Sequence, residues 1–315
     1  MTPTVSIIIA TYNRSRVLRH AIESVRNSHF ADWEIIVVGD ACTDDTAVCV
    51  AAFGDPRIRF VNLPERCGDQ SGPNNHGVAL SRGRYVAFLN HDDFYLPDHL
   101  ATCVAELDAG GTDFVSVPCV ITRLKTGSPE GRPVSFTLEA VPYNGVYDPL
   151  AIYYASAWVF RRELAERVGP WRAPKEMFVV PSQDWLFRAW RSGAKLKFLP
   201  SVGVVVVSAG TRAGSYVSRD NPEHEFLAQW FRDDPNYREK ILEEAAINEA
   251  AKFLLVRRHS KLFWLVRCAL ARPIYALLLK AGIHPGSATM MLNYGGRGGF
   301  VRYLRKRTGA NERSA

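Results

Sequence analysis

Residues Arg84–Leu100, RYVAFLNHDDFYLPDHL, carry the reading on which the rest of the chain depends. Tyr85–Leu89 is a short apolar and aromatic run, the pattern of a strand buried on both faces. It stops at Asn90-His91-Asp92-Asp93, and Pro97 then opens a new amphipathic run, as proline does in a first helical turn. Open α/β sheets place ligands outside the carboxyl ends of their strands, which is where this polar tetrad falls. Adjacent carboxylates repel each other, so the pair is costly there unless a cation or a phosphate-bound metal joins them. The simpler reading has Asp92 and Asp93 capping the next helix and facing water. It suits an isolated Asp-Asp pair, and the flanking sequence argues against it.

Upstream, Val5–Ala10 (VSIIIA) is an unbroken β-branched run and reads as a buried strand. The polar turn Thr11–Ser15 follows, and Val17, Leu18, Ala21, Ile22 and Val25 then share one helical face. Glu34–Val38 is a second strand, and Thr43-Asp44-Asp45 starts a helix over Thr46–Phe53. Ile58–Leu63 is a third strand, followed by a loop over Pro64–Asn75 and a short helix to Leu80. Strands alternating with helices of this length predict a parallel, doubly wound sheet. Asp113–Ile121 reads as a further strand, and Arg123–Asp148 as an excursion or hairpin beside the sheet. Helices are expected over Ala157–Val168 and from Pro181 to Gly193, and one or two strands within Lys195–Val207. Glu223–Arg258 is mostly helical by pattern.

The chain has 315 residues, 47% of them apolar and 23% charged, ordinary for a soluble globular protein. Cysteines 42, 49, 67, 103, 119 and 268 show no CxxC or metal spacing. Val5–Ala10 is too short for a secretion signal and lacks a basic flank, so the cysteines read as reduced thiols of a cytoplasmic protein. Charge is distributed unevenly. From Lys252 onward there are thirteen Lys or Arg and one acid, Glu312, a net +12 against +7 for the whole chain, which leaves the first 251 residues at −5. A basic end of this kind suits an anionic surface, membrane or nucleic acid. The basic residues form no recognisable nucleic-acid module, so no nucleic-acid partner is expected.

The apolar run Leu262–Leu279 is interrupted by Arg267, Arg272 and Pro273, and an arginine at a membrane centre costs roughly 2.5 kcal/mol or more. Two readings remain. It is an amphipathic surface helix followed by the basic stretch Arg297–Arg307, peripheral on the inner face of a membrane, or a helix packed on the body with a solvated basic end. The divisions expected are an α/β domain over 1–208, a mobile loop with helices over 209–259, and a basic amphipathic tail over 260–315.

VSIIIATYNR, EIIVVGDACTDDT and FLNHDDFYLPDHL, in this order and with SQDWLFRAWRSG at 182–193, resemble the family 2 glycosyltransferases of GT-A fold. The resemblance covers roughly the first 205 residues. It implies an α/β fold of GT-A type, a Rossmann-like mixed or parallel sheet flanked by helices, here with a mostly helical basic C-terminal extension. The reaction implied is inverting transfer of a sugar from a nucleotide-diphospho-sugar to an acceptor hydroxyl, with Mg²⁺ or Mn²⁺, of the hexosyl-transfer type met in polysaccharide biosynthesis. The acceptor is a carbohydrate or lipid-linked. Ala10, Thr11 and Tyr12 would wall the nucleotide base, and Asp40 would hydrogen-bond base or ribose. Asp92 would bind the metal, Asn90 a hydroxyl, and Asp184 would be the catalytic base, in a first helical turn whose dipole favours the ionised form.

Departures from the family pattern are Gly39 and Ala41-Cys42 around Asp40, Asn90 in place of the first metal-motif aspartate, and Asn74-Asn75 where an arginine is common. His91 is a further donor or metal contact, unless it points away into its loop. Asp93, a third ligand at His224, and an Arg212 or Arg219 clamp on the diphosphate complete the set, solvated charge being the simpler reading of the arginines. Trp171 and Trp185 are either a sugar-stacking wall or core. No Gln-x-x-Arg-Trp motif is present, Gln229-Trp230 being only a fragment, which argues against a processive polysaccharide synthase. A non-catalytic sugar-nucleotide-binding or scaffold protein on the same fold is the alternative.

Overall fold

The computed structural model describes residues 2–124, 134–139, 145–208, 213–216, 221–256 and 273–310. A seven-stranded sheet forms the main layer. Its parallel half is β1 (Val5–Thr11), β2 (Trp33–Gly39), β3 (Ile58–Asn62) and β4 (Tyr85–Phe88). β5 (Phe94–Tyr95) lies in a second sheet, with β7 (Cys119–Leu124), β8 (Val134–Glu139) and β11 (Val204–Val207). β6 (Phe114–Ser116), β9 (Trp158–Arg161) and β10 (Leu196–Phe198) complete the first sheet, in the order β10-β6-β9-β4-β1-β2-β3.

Ile7, Ile8, Ile9, Ile35, Ile36, Val37 and Val38 are all fully buried, as strands covered by helices on both faces must be. Val17, Leu18, Ala21, Ile22 and Val25 of the helix Ser15–Arg26 are buried on their expected common face. Wholly burying one such aliphatic side chain contributes roughly 1.5–3 kcal/mol. Trp158, Trp171 and Trp185 stack with Phe88 and Phe160 in the core, so the two candidate sugar-stacking tryptophans serve packing.

Three expectations change. Ala157–Val168 is helical only over Arg162–Val168, because Trp158–Arg161 forms β9, antiparallel to both β4 and β6, which makes the sheet mixed. Trp158, Val159 and Phe160 are fully buried, and aromatic and β-branched residues there favour a pleated interior over a helix. The strand expected over Asp113–Ile121 breaks at Pro118, which lacks a ladder donor, and its halves join different sheets. The helix expected over Thr46–Phe53 is shorter, Thr46–Ala51.

Helices Pro222–Asp233 and Tyr237–Val256 cover the second sheet, where Leu227, Ala228, Ile241 and Ala245 join Phe94, Val120, Phe136 and Val205 in a separate apolar cluster. Cys42, Cys49, Cys67, Cys103 and Cys119 are free thiols, and Cys268 lies outside the described residues. Among the described residues no helix is long and apolar enough to cross a membrane. The run Leu262–Leu279 is described only from residue 273.

Candidate functional site

The carboxyl ends of β1, β2 and β4 lie side by side. Thr11 pairs with Gly39, Ile8 pairs with Phe88, and the Asp40 amide donates to the Thr11 carbonyl at 2.8 Å. Beyond these ends opens a cavity of about 620 Å³ lined by Ala10, Thr11, Tyr12, Asp40, Asn90, His91, Asp92 and Asp93, every residue expected there from those three turns. The helix Pro181–Arg191 brings Val180 and Pro181 to the same cavity.

Gly39 has a steric reason. A Cβ there would collide with the side-chain oxygen of Asn62, which accepts from the Cys42 amide at 2.8 Å while its nitrogen donates to the Cys42 carbonyl at 2.9 Å. Asn62 holds the turn and takes the space that a side chain at 39 would need. Asp40 is buried, and its two oxygens accept from the Cys67 and Gly68 amides at 2.6 and 2.8 Å. It thereby folds the loop after β3 over one end of the cavity, a loop shorter than the expected Pro64–Asn75 because the next helix already begins at Ser71. In the same loop the Arg66 guanidinium lies 3.7 Å over the Tyr12 ring, on the surface expected to meet a base.

The tetrad divides its labour. Asp93 is 1% exposed and accepts from Asn90 Nδ2 at 2.8 Å, Ser156 Oγ at 2.5 Å and the Val207 amide at 3.1 Å, tying β4 to β11. Burial first, then the Asp92 charge, holds its carboxyl well above the usual carboxylate range. Asn90 thus serves Asp93 in this arrangement. His91 Nδ1 sits 3.1 Å from the Ala10 carbonyl, at the cavity wall, with its basicity lowered by burial.

Asp92 is half-buried on the cavity wall, and no described residue donates a hydrogen bond to its carboxylate. His224 is buried, and its Nε2 lies 3.0 Å from the Asp92 main-chain carbonyl, so it is turned to that oxygen and not to the carboxylate. Burial lowers its pKa to about 4. Among the described residues no three His, Cys, Asp or Glu gather to hold a metal. One carboxylate suits a hard divalent cation that takes its other oxygens from a diphosphate and water, so Asp92 fits such an ion. Arg212 and Arg219 lie outside the described residues.

Asp184 occupies the first turn of its helix and is 7% exposed, but it is not among the residues lining the cavity, which this helix reaches at Val180 and Pro181. Arg188 Nε donates to its Oδ2 at 2.8 Å, and an Arg172 guanidinium nitrogen is 3.6 Å from Oδ1. Residues not foreseen also line the cavity: Arg66, Asp69 and Tyr216, with Leu304, Arg305 and Thr308 of the helix Gly299–Thr308. Arg66 and Asp69 sit in the loop that the sequence places after the third strand. Nothing in the sequence linked residues 240 positions downstream to it.

The fold and motifs agree with comparisons to known proteins. The chain is 33% identical over 138 residues to a succinoglycan biosynthesis protein, ExoO, of Rhizobium meliloti, covering 44% of this chain and 38% of that one. It is 37% identical over 111 residues to a GalNAc(5)-diNAcBac-PP-undecaprenol beta-1,3-glucosyltransferase of Campylobacter jejuni, covering 34% and 36%. These matches therefore span under half of each relative. A mannosyltransferase from Pyrobaculum calidifontis, solved with GDP-Man and Mn²⁺, shares the fold at a TM-score of 0.52 and 19% identity, over 94% of this chain and 87% of that one. The sequence profile described as Glycosyl transferase family 2 matches residues 6–169, from β1 through the Asn90–Asp93 tetrad to the end of the helix after β9, and the chain belongs to that family.

Proposed function

We propose that this protein is a glycosyltransferase that moves a sugar from a nucleotide-diphospho-sugar to an acceptor hydroxyl with inversion. The observation that carries the reading is the convergence of Thr11-Tyr12, Asp40 and Asp92 on one cavity at the carboxyl ends of the parallel strands β1, β2 and β4. Tyr12 and Asp40 would hold the nucleoside end, and Asp92 would hold a divalent cation. When bound, such an ion offsets the charge growing on the departing diphosphate. Asp184 would accept the acceptor's proton as its oxygen bonds to the anomeric carbon. The bond from that carbon to the diphosphate oxygen breaks in the same displacement, which inverts the centre. Nucleoside diphosphate leaves. The relatives' names support a carbohydrate or undecaprenol-linked acceptor, and the Mn²⁺ in the Pyrobaculum calidifontis mannosyltransferase supports the metal.

A place at the cytoplasmic face of a membrane fits the same acceptors. Ile274, Leu277, Met291 and Leu292 are exposed in the C-terminal segment, where Arg302, Lys306 and Arg307 are exposed too, as an interfacial segment requires. Screening nucleotide sugars for hydrolysis and for thermal stabilisation with Mn²⁺ tests the activity. A protein that is stabilised by none and hydrolyses none overturns it; one that binds donor but transfers to no acceptor is the non-catalytic alternative.

A further inference from the structure

The basic C-terminal segment reaches the site. Helices Gly286–Tyr294 and Gly299–Thr308 pack together, and the second contributes Val301, Leu304, Arg305 and Thr308 to the cavity wall. Arg302, Lys306 and Arg307 of that helix are exposed, whereas Arg305 is half-buried. Its guanidinium lies against Gly68, where an added Cβ would meet Arg305 Nη1 at 2.6 Å. Asp69 stands beside it: burial raises that carboxyl and the Arg305 charge acts against the rise. Arg305 Nε is buried with no partner among the described residues.

The helix end is held on two sides. The Gly214 amide donates to the Arg307 carbonyl and the Tyr216 amide to the Thr308 carbonyl, both at 3.0 Å, and the Arg66 guanidinium donates to the Ala310 carbonyl. Arg66, Gly68, Asp69 and Tyr216, from the two loops it joins, all line the cavity. A segment fastened to one loop by main-chain bonds and to the other by the Arg66 side chain is part of the cavity's frame. Its walls carry Asp40, Asp69, Asp92, Asp93 and Glu139, a set that repels an anion unless cations such as Arg66 and Arg305 stand among them. Arg305 is such a cation, and a guanidinium suits phosphate oxygens.

We propose that the helix Gly299–Thr308 is a constituent wall of the donor site, and that Arg305 is a positioning contact for the phosphates of a nucleoside diphosphate. The inference rests on the donor reading above and adds a binding residue from the other end of the chain.

The test is calorimetry on the full chain with UDP, GDP, ADP and dTDP in the presence of Mn²⁺. Wild type is compared with Arg305→Ala, Arg305→Gln, Arg305→Lys and Lys306→Ala, and melting midpoints confirm that each variant is folded. Arg305→Ala and Arg305→Gln should weaken the best nucleotide about tenfold or more, the scale of a hydrogen bond to a charged group. Arg305→Lys should recover part of the loss. Lys306→Ala removes the same charge from an exposed site and should stay within about twofold, since salt screens it. Equal affinity in wild type and Arg305→Ala overturns the inference, as does equal weakening by Lys306→Ala. Tighter binding in Arg305→Ala overturns it too, making the helix a plug. Wild type that binds no nucleotide removes the donor reading, and this inference with it.

Discussion

Arg188 Nε donates a 2.8 Å hydrogen bond to Asp184 Oδ2 from one helical turn further along, while Arg172 stands 3.6 Å from the other oxygen. Two arginines therefore hold the carboxylate in one orientation. Asp184→Asn keeps the size and loses the proton acceptor. Turnover should fall about 10²–10⁴-fold, with nucleotide affinity nearly unchanged, because a base acts only in the transition state. Turnover within a few-fold of wild type would remove Asp184 from the role. Single-turnover transfer and calorimetry on the same variant give the two numbers.

Asp92 faces the cavity with its carboxylate unpaired among the described residues. Asp92→Asn should abolish the tightening of nucleotide binding by Mn²⁺ and leave metal-free binding close to wild type. Calorimetric titrations with and without Mn²⁺ decide it; unchanged Mn²⁺ dependence means the metal is held elsewhere.

Asp93 has a different task, that of joining the Asn90 turn to Ser156 and Val207. Asp93→Ala strands these buried donors and should cost roughly 1–3 kcal/mol. Urea unfolding should show a lower midpoint at an unchanged slope. A midpoint equal to wild type would contradict the tie.

Acid should weaken the fold through buried histidines. Burial lowers the His99 pKa to about 3, while the unfolded chain holds this group near the ordinary value of about 6.5. The unfolded state thus binds the proton first as pH falls, so stability is full above about 6.5 and declines towards 3. Between pH 7 and 5 the loss should be roughly 2 kcal/mol for this one group. His99→Gln should flatten the decline measured by urea midpoints at the two values; an unchanged slope would contradict a neutral buried His99.

Membrane attachment predicts flotation of the full chain with anionic vesicles, weakened by salt. Reversing Arg302, Lys306 and Arg307 to Glu should abolish it, since each basic residue near such a surface contributes about 1 kcal/mol. Flotation that is absent in wild type, or that survives the reversal, counts against the proposal.

The parallel half of the sheet and the place of the site were legible in the sequence, because both rest on local pattern. Apolar runs such as Val5–Ala10 and Tyr85–Leu89 have one favourable fate, burial as strands, and a polar turn after each must lie at the strand's carboxyl end. Tertiary structure decided the rest. Trp158–Arg161 looked continuous with a helix, and only the vacancy between β4 and β6 made it a strand. Of two adjacent aspartates, burial turned Asp93 inward to a hydrogen-bonded tie and left Asp92 on the cavity, a distinction no spacing contains. Arg305 stands 237 positions after Gly68, and contacts over such separations come from how layers pack rather than from the period of either segment.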